Sequence, residues 1–148
     1  MSGRRNVDRL QQEIQELLED LWQVPRFAGL RQGFRPNVDC YRADGPPRLV
    51  VVADLAGVDP ETVHIVAAER SLVIAGERRR PAPERPLSFQ QMEIAYGPFQ
   101  RRIALAEDVD HEAATATYVR GLLTVVLPVT EKPPPAPAMV TIAVRIHE

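Results

Sequence analysis

The run at residues 121–128, GLLTVVLP, constrains the fold of this chain more than any other stretch. An apolar run of this length, rich in valine and bounded by turn residues, is typical of a fully buried strand, because it is too short for a helix. Gly121 allows a tight entry, and Pro128, which has no amide hydrogen, ends the hydrogen-bond ladder. We therefore predict a strand here, followed by a proline-rich extension that reaches outward to an apolar C-terminal tip.

Other segments of the chain also have the pattern of strands. Each is β-branched or alternates apolar with polar residues, and turn residues separate them at roughly 8–12 residue intervals. They are residues 38–41, 49–55, 63–67, 71–75, 99–105 and 114–119. Asp59 and Pro60 between the second and third have the order of an N-cap and a first helical residue, which indicates one helical turn. The pattern predicts an all-β fold, an immunoglobulin-like antiparallel β-sandwich.

Residues 1–35 are predicted to form an N-terminal arm. Its apolar residues recur at helical spacing with polar residues between them, which predicts an amphipathic helix that ends at Pro25. They are Val7, Leu10, Ile14, Leu17, Leu18 and Leu21, with Trp22 near the end. The helix could pack on its own domain or present its apolar face to a partner, and the pattern leaves both open.

Proline marks two further segments. Residues 78–86, RRRPAPERP, begin a long exposed loop at residues 78–92, and inside it residues 87–90, LSFQ, are a strand candidate with no neighbour in sequence. Residues 130–148 form a C-terminal extension whose prolines favour polyproline II. The central domain is thereby predicted at residues 36–129.

Composition restricts the classes of protein to consider. With 148 residues, the chain can bury one sizeable core without a disulfide or metal. The single Cys40 excludes an internal disulfide framework and fits a reducing compartment. No apolar leader or membrane-length run is visible, so a cytoplasmic protein is expected. A net charge of −2 gives no electrostatic reason to expect nucleic acid as a partner.

The sequence nominates no catalytic or metal site. His64, His111 and His147 are scattered, as expected of surface residues, and no phosphate-binding glycine loop or nucleophile motif is present. Asp108, Asp110 and Glu112 indicate an acidic loop rather than a cation site. The three arginines at residues 78–80 indicate a solvated loop. We expect no enzymatic activity, no cofactor and no metal.

Four segments in order resemble the small heat-shock proteins, the family that carries the α-crystallin domain. They read LVVVADLAGVDPETVHI, SLVIAGER, YGPFQRRIALAEDVD and GLLTVVLP, and the resemblance covers residues 36–146. It departs at Ala56 and Ala106, where the family often has proline, and at Ala104, where it often has arginine. The resemblance implies a sandwich whose long loop carries a short strand across to a partner subunit.

The resemblance also implies interaction sites. The strand that crosses to the partner would be Leu87, Ser88, Phe89 and Gln90, and Arg101 would lie near the dimer interface, with a modest salt bridge as its simplest role. An apolar C-terminal motif would dock on a neighbouring dimer by strand addition. Its candidates are Val140, Ile142, Val144 and Ile146, which form overlapping triplets and leave the register open. The receiving groove would be lined by Ile65, Ala67, Ala113 and Thr115.

The function that the resemblance implies is ATP-independent chaperoning, in which the protein holds partly unfolded clients and prevents their aggregation. Its partners would be itself, as strand-swapped dimers assembled into larger oligomers, and unfolding proteins, with no nucleic acid or membrane expected. The client-binding residues of the arm would be Leu10, Ile14, Leu17, Leu18, Leu21, Trp22, Phe27 and Phe34. The alternative is a sandwich-fold co-chaperone or scaffold module that lacks holdase activity.

Overall fold

The computed structural model describes residues 33–132 and 139–147, and within them the regular elements are β-strands and two short 3₁₀ turns. The predicted helix of the N-terminal arm and Phe27 lie outside the described residues. The strands are β1 Val38–Ala43, β2 Arg48–Asp54, β3 His64–Ala68, β4 Ser71–Arg78, β5 Gly97–Ala104, β6 Thr115–Val119, β7 Leu122–Pro128, β8 Met139–Thr141 and β9 Val144–Ile146.

The described strands form two sheets that pack face to face. One has the order β1-β2-β7-β6-β9 and the other the order β5-β4-β3-β8. Their strand pairs are antiparallel except for β6 with β9, which is parallel. The prediction of an all-β sandwich rich in antiparallel pairs is thereby confirmed.

The core lies between the sheets and follows the strand period of two. Leu123, Val125 and Leu127 of β7 are fully buried, whereas Leu122 on the same strand is 47% exposed. The predicted strand at residues 121–128 is therefore present at Leu122–Pro128, but only one of its faces enters the core. Its position between β2 and β6 places it inside its sheet.

Turn chemistry follows the sequence closely. Asp59 caps the short 3₁₀ turn Pro60–Thr62, since its carboxylate accepts a bond from the Glu61 amide at 3.0 Å. Gly121 has a φ of 84°, and a Cβ there would lie 2.9 Å from the Ala56 Cα. Only glycine fits that position without displacing the backbone, so the β6–β7 turn depends on it.

Strand β4 continues to Arg78, beyond the end predicted at Ala75. Residues 79–96 follow without helix or strand, and every residue from 79 to 95 is exposed. Residues 87–90 are not paired as a strand within this single chain.

The two long sides of the sandwich, where the sheets meet, are covered by different parts of the chain. Residues 33–37, which we call the lead-in, lie at the side of β1 and β5: the Asp54 amide donates to the Asn37 carbonyl at 3.0 Å. Phe34 of the lead-in is 9% exposed and belongs to the core, although the sequence had placed it among the client-binding residues of the arm. The opposite side, at β3 and β6, is covered by residues 139–147, the C-terminal segment.

Candidate interaction surfaces

A groove between the edges of β3 and β6 is the most developed candidate site in the described residues. Strand β8 lies antiparallel to β3, with Val140 opposite Ala67, and the Ile142 amide donates to the Ile65 carbonyl at 2.9 Å. The chain then crosses to the other sheet, where β9 runs parallel to β6 with Val144 opposite Ala116. Backbone hydrogen bonds thus hold one extended segment against both sheets.

The side chains of the C-terminal segment alternate between the groove and the solvent. Ile142 is 6% exposed and belongs to the core, and Val140 and Val144 are half-buried. Ile146 is 50% exposed. Ile142 is therefore the central anchor in this arrangement, and the two triplets that contain it, residues 140–142 and 142–144, are the ones inserted.

The walls of the groove differ in part from the residues that the resemblance implied. Ile65 and Ala67 are fully buried beneath the C-terminal segment. Ala113 lies in a 3₁₀ turn, and both Ala113 and Thr115 are exposed. On β6 the inward position belongs to Ala116, which is 1% exposed. Neighbouring residues on a strand face opposite sides. The implied wall residue Thr115 therefore points away from the groove, and Ala116 points into it.

The C-terminal tip was predicted to reach outward, whereas residues 139–147 fold back onto their own sandwich. The physical reason is that the edges of β3 and β6 offer unpaired amide and carbonyl groups to any extended segment within reach. The segment's own apolar side chains fill the groove between these edges.

Tyr118 braces the β6 wall of the groove, a role that the sequence analysis did not identify. Its hydroxyl lies 3.0 Å from the Leu55 carbonyl oxygen and 3.1 Å from that of Val58, so it ties β6 to the loop that follows β2. Burial raises the pKa of the Tyr118 hydroxyl, and Asp54 and Asp59 add to the effect. The sequence offered one signal for this role: Tyr118 is two residues from Ala116, so both side chains lie on the same face of β6.

A second candidate surface lies at the other end of the larger sheet. β1 is the edge strand there, and Tyr41 on it is 50% exposed. The loop of residues 79–96 presents further apolar side chains to solvent. They are Leu87 at 59%, Phe89 at 50%, Met92 at 52% and Ile94 at 64% exposed. Ser88 and Gln90 are exposed beside them.

Arg78 fixes the base of this loop, whereas the sequence analysis placed it in a solvated run. Its Nε donates to the Ala95 carbonyl at 2.8 Å and its Nη1 to the Ala56 carbonyl at 3.2 Å. The guanidinium carbon lies 3.6 Å from the centroid of the Phe34 ring. Arg78 therefore joins both ends of the loop to the lead-in through charge-assisted bonds and a cation–π contact.

Arg80 holds the loop at a second point. Its guanidinium carbon lies 5.0 Å from the Phe89 ring centroid and 4.5 Å from that of Tyr96. Phe89, the aromatic residue of the strand candidate, is thus in contact with its own loop in this chain.

The Hsp20/alpha crystallin family model matches residues 43–145 of the chain. The chain belongs to the Hsp20/alpha crystallin family. The match contains the β3–β6 groove and ends inside the C-terminal segment that fills it.

Curated relatives agree with this assignment. The 19.0 kDa class II heat shock protein of Oryza sativa is 39% identical over 102 residues, which are 65% of this chain and 56% of the rice protein. The Alpha-crystallin of Mycobacterium tuberculosis is 36% identical over 114 residues, 74% of this chain and 75% of that protein. The chain thus spans little more than half the length of the rice relative.

Solved structures of small heat shock proteins share the fold. The hspA of Xanthomonas axonopodis matches with a TM-score of 0.59 and 31% identity, over 66% of this chain and 96% of that one. A small heat-shock protein from Xylella fastidiosa matches with a TM-score of 0.58 and 30% identity, over 74% of this chain and 98% of that one.

In this member of the Hsp20 family, Arg101 bonds to the backbone of the lead-in. Its Nη1 donates to the Pro36 carbonyl at 2.7 Å, which links β5 to the lead-in. Arg101 therefore connects strand β5 to the lead-in, and its role near a dimer interface stays a prediction.

The acidic loop of this Hsp20 domain has structural partners. Arg70 bonds to Asp108 at 3.0 Å, and this bond is the main cause that lowers the pKa of the Asp108 carboxyl. Asp110 caps the 3₁₀ turn His111–Ala113. His111 is 5% exposed with its Nε2 2.8 Å from the Glu69 carbonyl oxygen, so the expectation of a surface histidine was wrong.

The described residues contain neither a candidate metal site nor a helix that could span a membrane. Among residues 33–132 and 139–147, no group of three or more histidine, cysteine, aspartate or glutamate side chains could hold a metal ion. No helix in the same part of the chain is long and apolar enough to cross a membrane.

Proposed function

We propose that this chain is an ATP-independent holdase, which binds partly unfolded proteins and prevents their aggregation. The observation that supports this most strongly is the β3–β6 groove, which holds an extended apolar segment by backbone bonds and a few inserted side chains. Binding by strand addition depends on the spacing of apolar side chains in the added segment rather than on a particular sequence. An unfolding protein supplies many segments of that kind.

The mechanism we propose is mass action on aggregation-prone chains. Clients bury exposed apolar residues against the groove and against the apolar residues of the N-terminal arm. Binding lowers the free concentration of the unfolded client, and aggregation depends steeply on that concentration. No nucleotide is required, because no step needs an input of free energy beyond binding.

We further propose that subunits assemble in two stages. In the first, residues 87–90 of one subunit add to the open edge of β1 in another, which would cover Leu87 and Phe89. In the second, the C-terminal segment leaves its own groove and enters that of a neighbouring dimer. The contacts are the same within and between chains, so protein concentration and the reach of residues 130–138 decide which arrangement dominates.

The proposed setting is the cytoplasm, without cofactor, metal, nucleic acid or membrane as partners. Cys40 supports this choice of compartment, because it is a free thiol on the exposed edge strand β1. A reducing environment keeps such a thiol from forming disulfides between subunits.

Holdase activity is tested by light scattering of a heat-denatured client without nucleotide. At an equal number of subunits and client molecules, we expect the scattering to fall well below that of the client with an inert protein of matched mass. Scattering equal to that of the inert control would reject the proposal.

Assembly is tested with two matched sets of serine substitutions. Changing the inserted side chains Val140, Ile142 and Val144 together should leave dimers but remove larger species in native mass measurements. The control changes the exposed Thr141, Ala143 and Arg145 instead, and should keep the assembly of the parent chain. Large species that persist in the first set would show that the segment is not the link between dimers.

A further inference from the structure

The face of the smaller sheet that points away from the core contains apolar residues that are buried. Val66 is 6% exposed and Ala75 is 1% exposed, yet neither belongs to the core between the sheets. Their neighbours along the strands, Ile65 and Ile74, are fully buried in that core, so Val66 and Ala75 must point to the opposite face. On a bare outer face, valine would be expected to remain partly accessible.

The neighbouring strands bury Val66 from the sides but do not cover it. It lies between Val73 of β4, which is half-buried, and Thr141 of β8, which is exposed. On the other sheet the comparable residue is Val50, whose neighbour on β1 is the larger Tyr41.

The lead-in brings the chain to the edge of this same face. A Cβ on Gly33 would lie 2.8 Å from the Pro98 carbonyl oxygen, at the start of β5. Two residues further on, Gln100 lies opposite Ala75. Gly33, the first described residue, therefore lies at the β5 edge of the sheet that carries Val66, Val73 and Ala75.

We propose that this strip is the docking surface for residues 7–22 of the same chain. The sequence predicts an amphipathic helix there, and a helix of that length extends about 24 Å. The four strands of the sheet cover about 15 Å between their outer axes, so one helix can cross them. The apolar stripe of Leu10, Ile14, Leu17 and Leu21 would cover Val66 and Ala75.

Its consequence for chaperoning rests on the proposed function. Docking covers the apolar stripe at rest, so clients compete with the chain's own sheet for the arm. Weakening the docking site then increases the fraction of arms open to clients without altering the β3–β6 groove.

Disulfide trapping tests the docking directly. In a Cys40→Ser background, which removes the only cysteine, Val73→Cys is combined with Ile14→Cys or with Leu17→Cys. Oxidation should give a cross-link within one chain in at least one pair, seen as a shift at monomer mass on a denaturing gel. The same arm cysteines combined with Val52→Cys, on the outer face of the other sheet, should not react. Failure of both pairs, or products only at dimer mass, would overturn the proposal.

A second experiment reads the arm through Trp22, the only tryptophan in the chain. Ala75→Glu places a charge under the proposed helix, whereas Val52→Glu places it on the other sheet. We expect Ala75→Glu to shift the Trp22 emission to longer wavelength and to speed tryptic cleavage within the arm by about tenfold, the effect of losing one buried aliphatic contact. Emission and cleavage that match Val52→Glu, with the fold checked by circular dichroism, would overturn the proposal.

Aggregation assays keep the two proposals separate. A chain that cross-links as expected but does not suppress client aggregation would support the docking surface and reject holdase activity. A chain that suppresses aggregation but whose arm does not cross-link to the sheet would support holdase activity and reject the docking surface.

Discussion

The two sides of the sandwich are closed in different ways. The lead-in continues directly into β1 and inserts Phe34 edge-on against Phe99, with ring centroids 5.5 Å apart, beneath the guanidinium of Arg78. The C-terminal segment reaches the other side only after residues 133–138, and it holds through short strands and the anchor Ile142. The lead-in is therefore part of the domain, whereas the C-terminal segment binds to the domain as a separate segment of the same chain.

This difference indicates which of the two segments another chain could replace. Removing the lead-in would expose ring surface and leave Arg78 and Arg101 without their contacts to it, so it should open only when the domain unfolds. Removing the C-terminal segment uncovers two strand edges that another segment can pair with at once. The predictions below test this division between a permanent and an exchangeable closure.

The largest effect is expected from breaking the permanent closure. Phe34→Ala removes a buried ring, and we expect it to lower the free energy of unfolding by about 3–5 kcal/mol. Denaturant titration measures this value, with the exposed neighbour change Arg35→Ala as control. A loss no larger than that of the control would place Phe34 outside the core.

Breaking the exchangeable closure should cost less. Ile142→Ala removes a buried anchor, and we expect a loss of about 2 kcal/mol, the low end for such changes because the segment can detach without unfolding the domain. Ile146→Ala, at a position 50% exposed, should cost little. Equal effects of the two changes in denaturant titration would contradict the assignment of Ile142 as the anchor.

Tyr118→Phe sharpens the comparison by loosening one wall of the groove. We expect a loss of about 1 kcal/mol, because the Leu55 and Val58 carbonyls lose the one hydroxyl hydrogen that they share. The raised pKa of Tyr118 stabilises the fold below the ordinary tyrosine pKa, about 10, and this stability is lost as the pH rises through the raised value. Stability measured against pH should therefore fall in alkali for the parent chain more than for the variant.

Asp108→Asn should have the smallest effect, since its ion pair with Arg70 is exposed and belongs to neither closure. The lowered pKa of Asp108 stabilises the fold above the ordinary carboxyl pKa, and this contribution is lost as the pH falls through the lowered value. The variant should lose that acid dependence and keep the assembly mass of the parent. A changed mass would connect this pair to the closures.

The sequence predicted the strands well because their pattern is local. Near neighbours specify the conformation of the β-branched run at residues 49–55, of the alternating run at residues 99–105 and of the turn residues Asp59 and Gly121. Phe34 had no such pattern, because its burial depends on Phe99 and Arg78, which are distant in sequence. It was therefore assigned to the arm instead of the core.

The groove was predicted only in part for a related reason. The resemblance located both walls, but the side that Ala116 and Thr115 face depends on the register of β6 against β7, which pairs Ala116 with Val125. A one-residue error exchanges the faces. The return of the C-terminal segment to its own chain also escaped prediction, since the pattern states which residues dock but not on which subunit.

Hydrogen exchange with a bound client tests the central claim most directly. The Ile142 and His147 amides bond to the Ile65 and Tyr118 carbonyls, and the Asp54 amide to the Asn37 carbonyl of the lead-in. When a heat-denatured client is held, we predict that Ile142 and His147 lose protection while Asp54 keeps it, because the client replaces the C-terminal segment in the groove. Unchanged protection at Ile142 and His147, in a sample where aggregation is suppressed, would contradict the account.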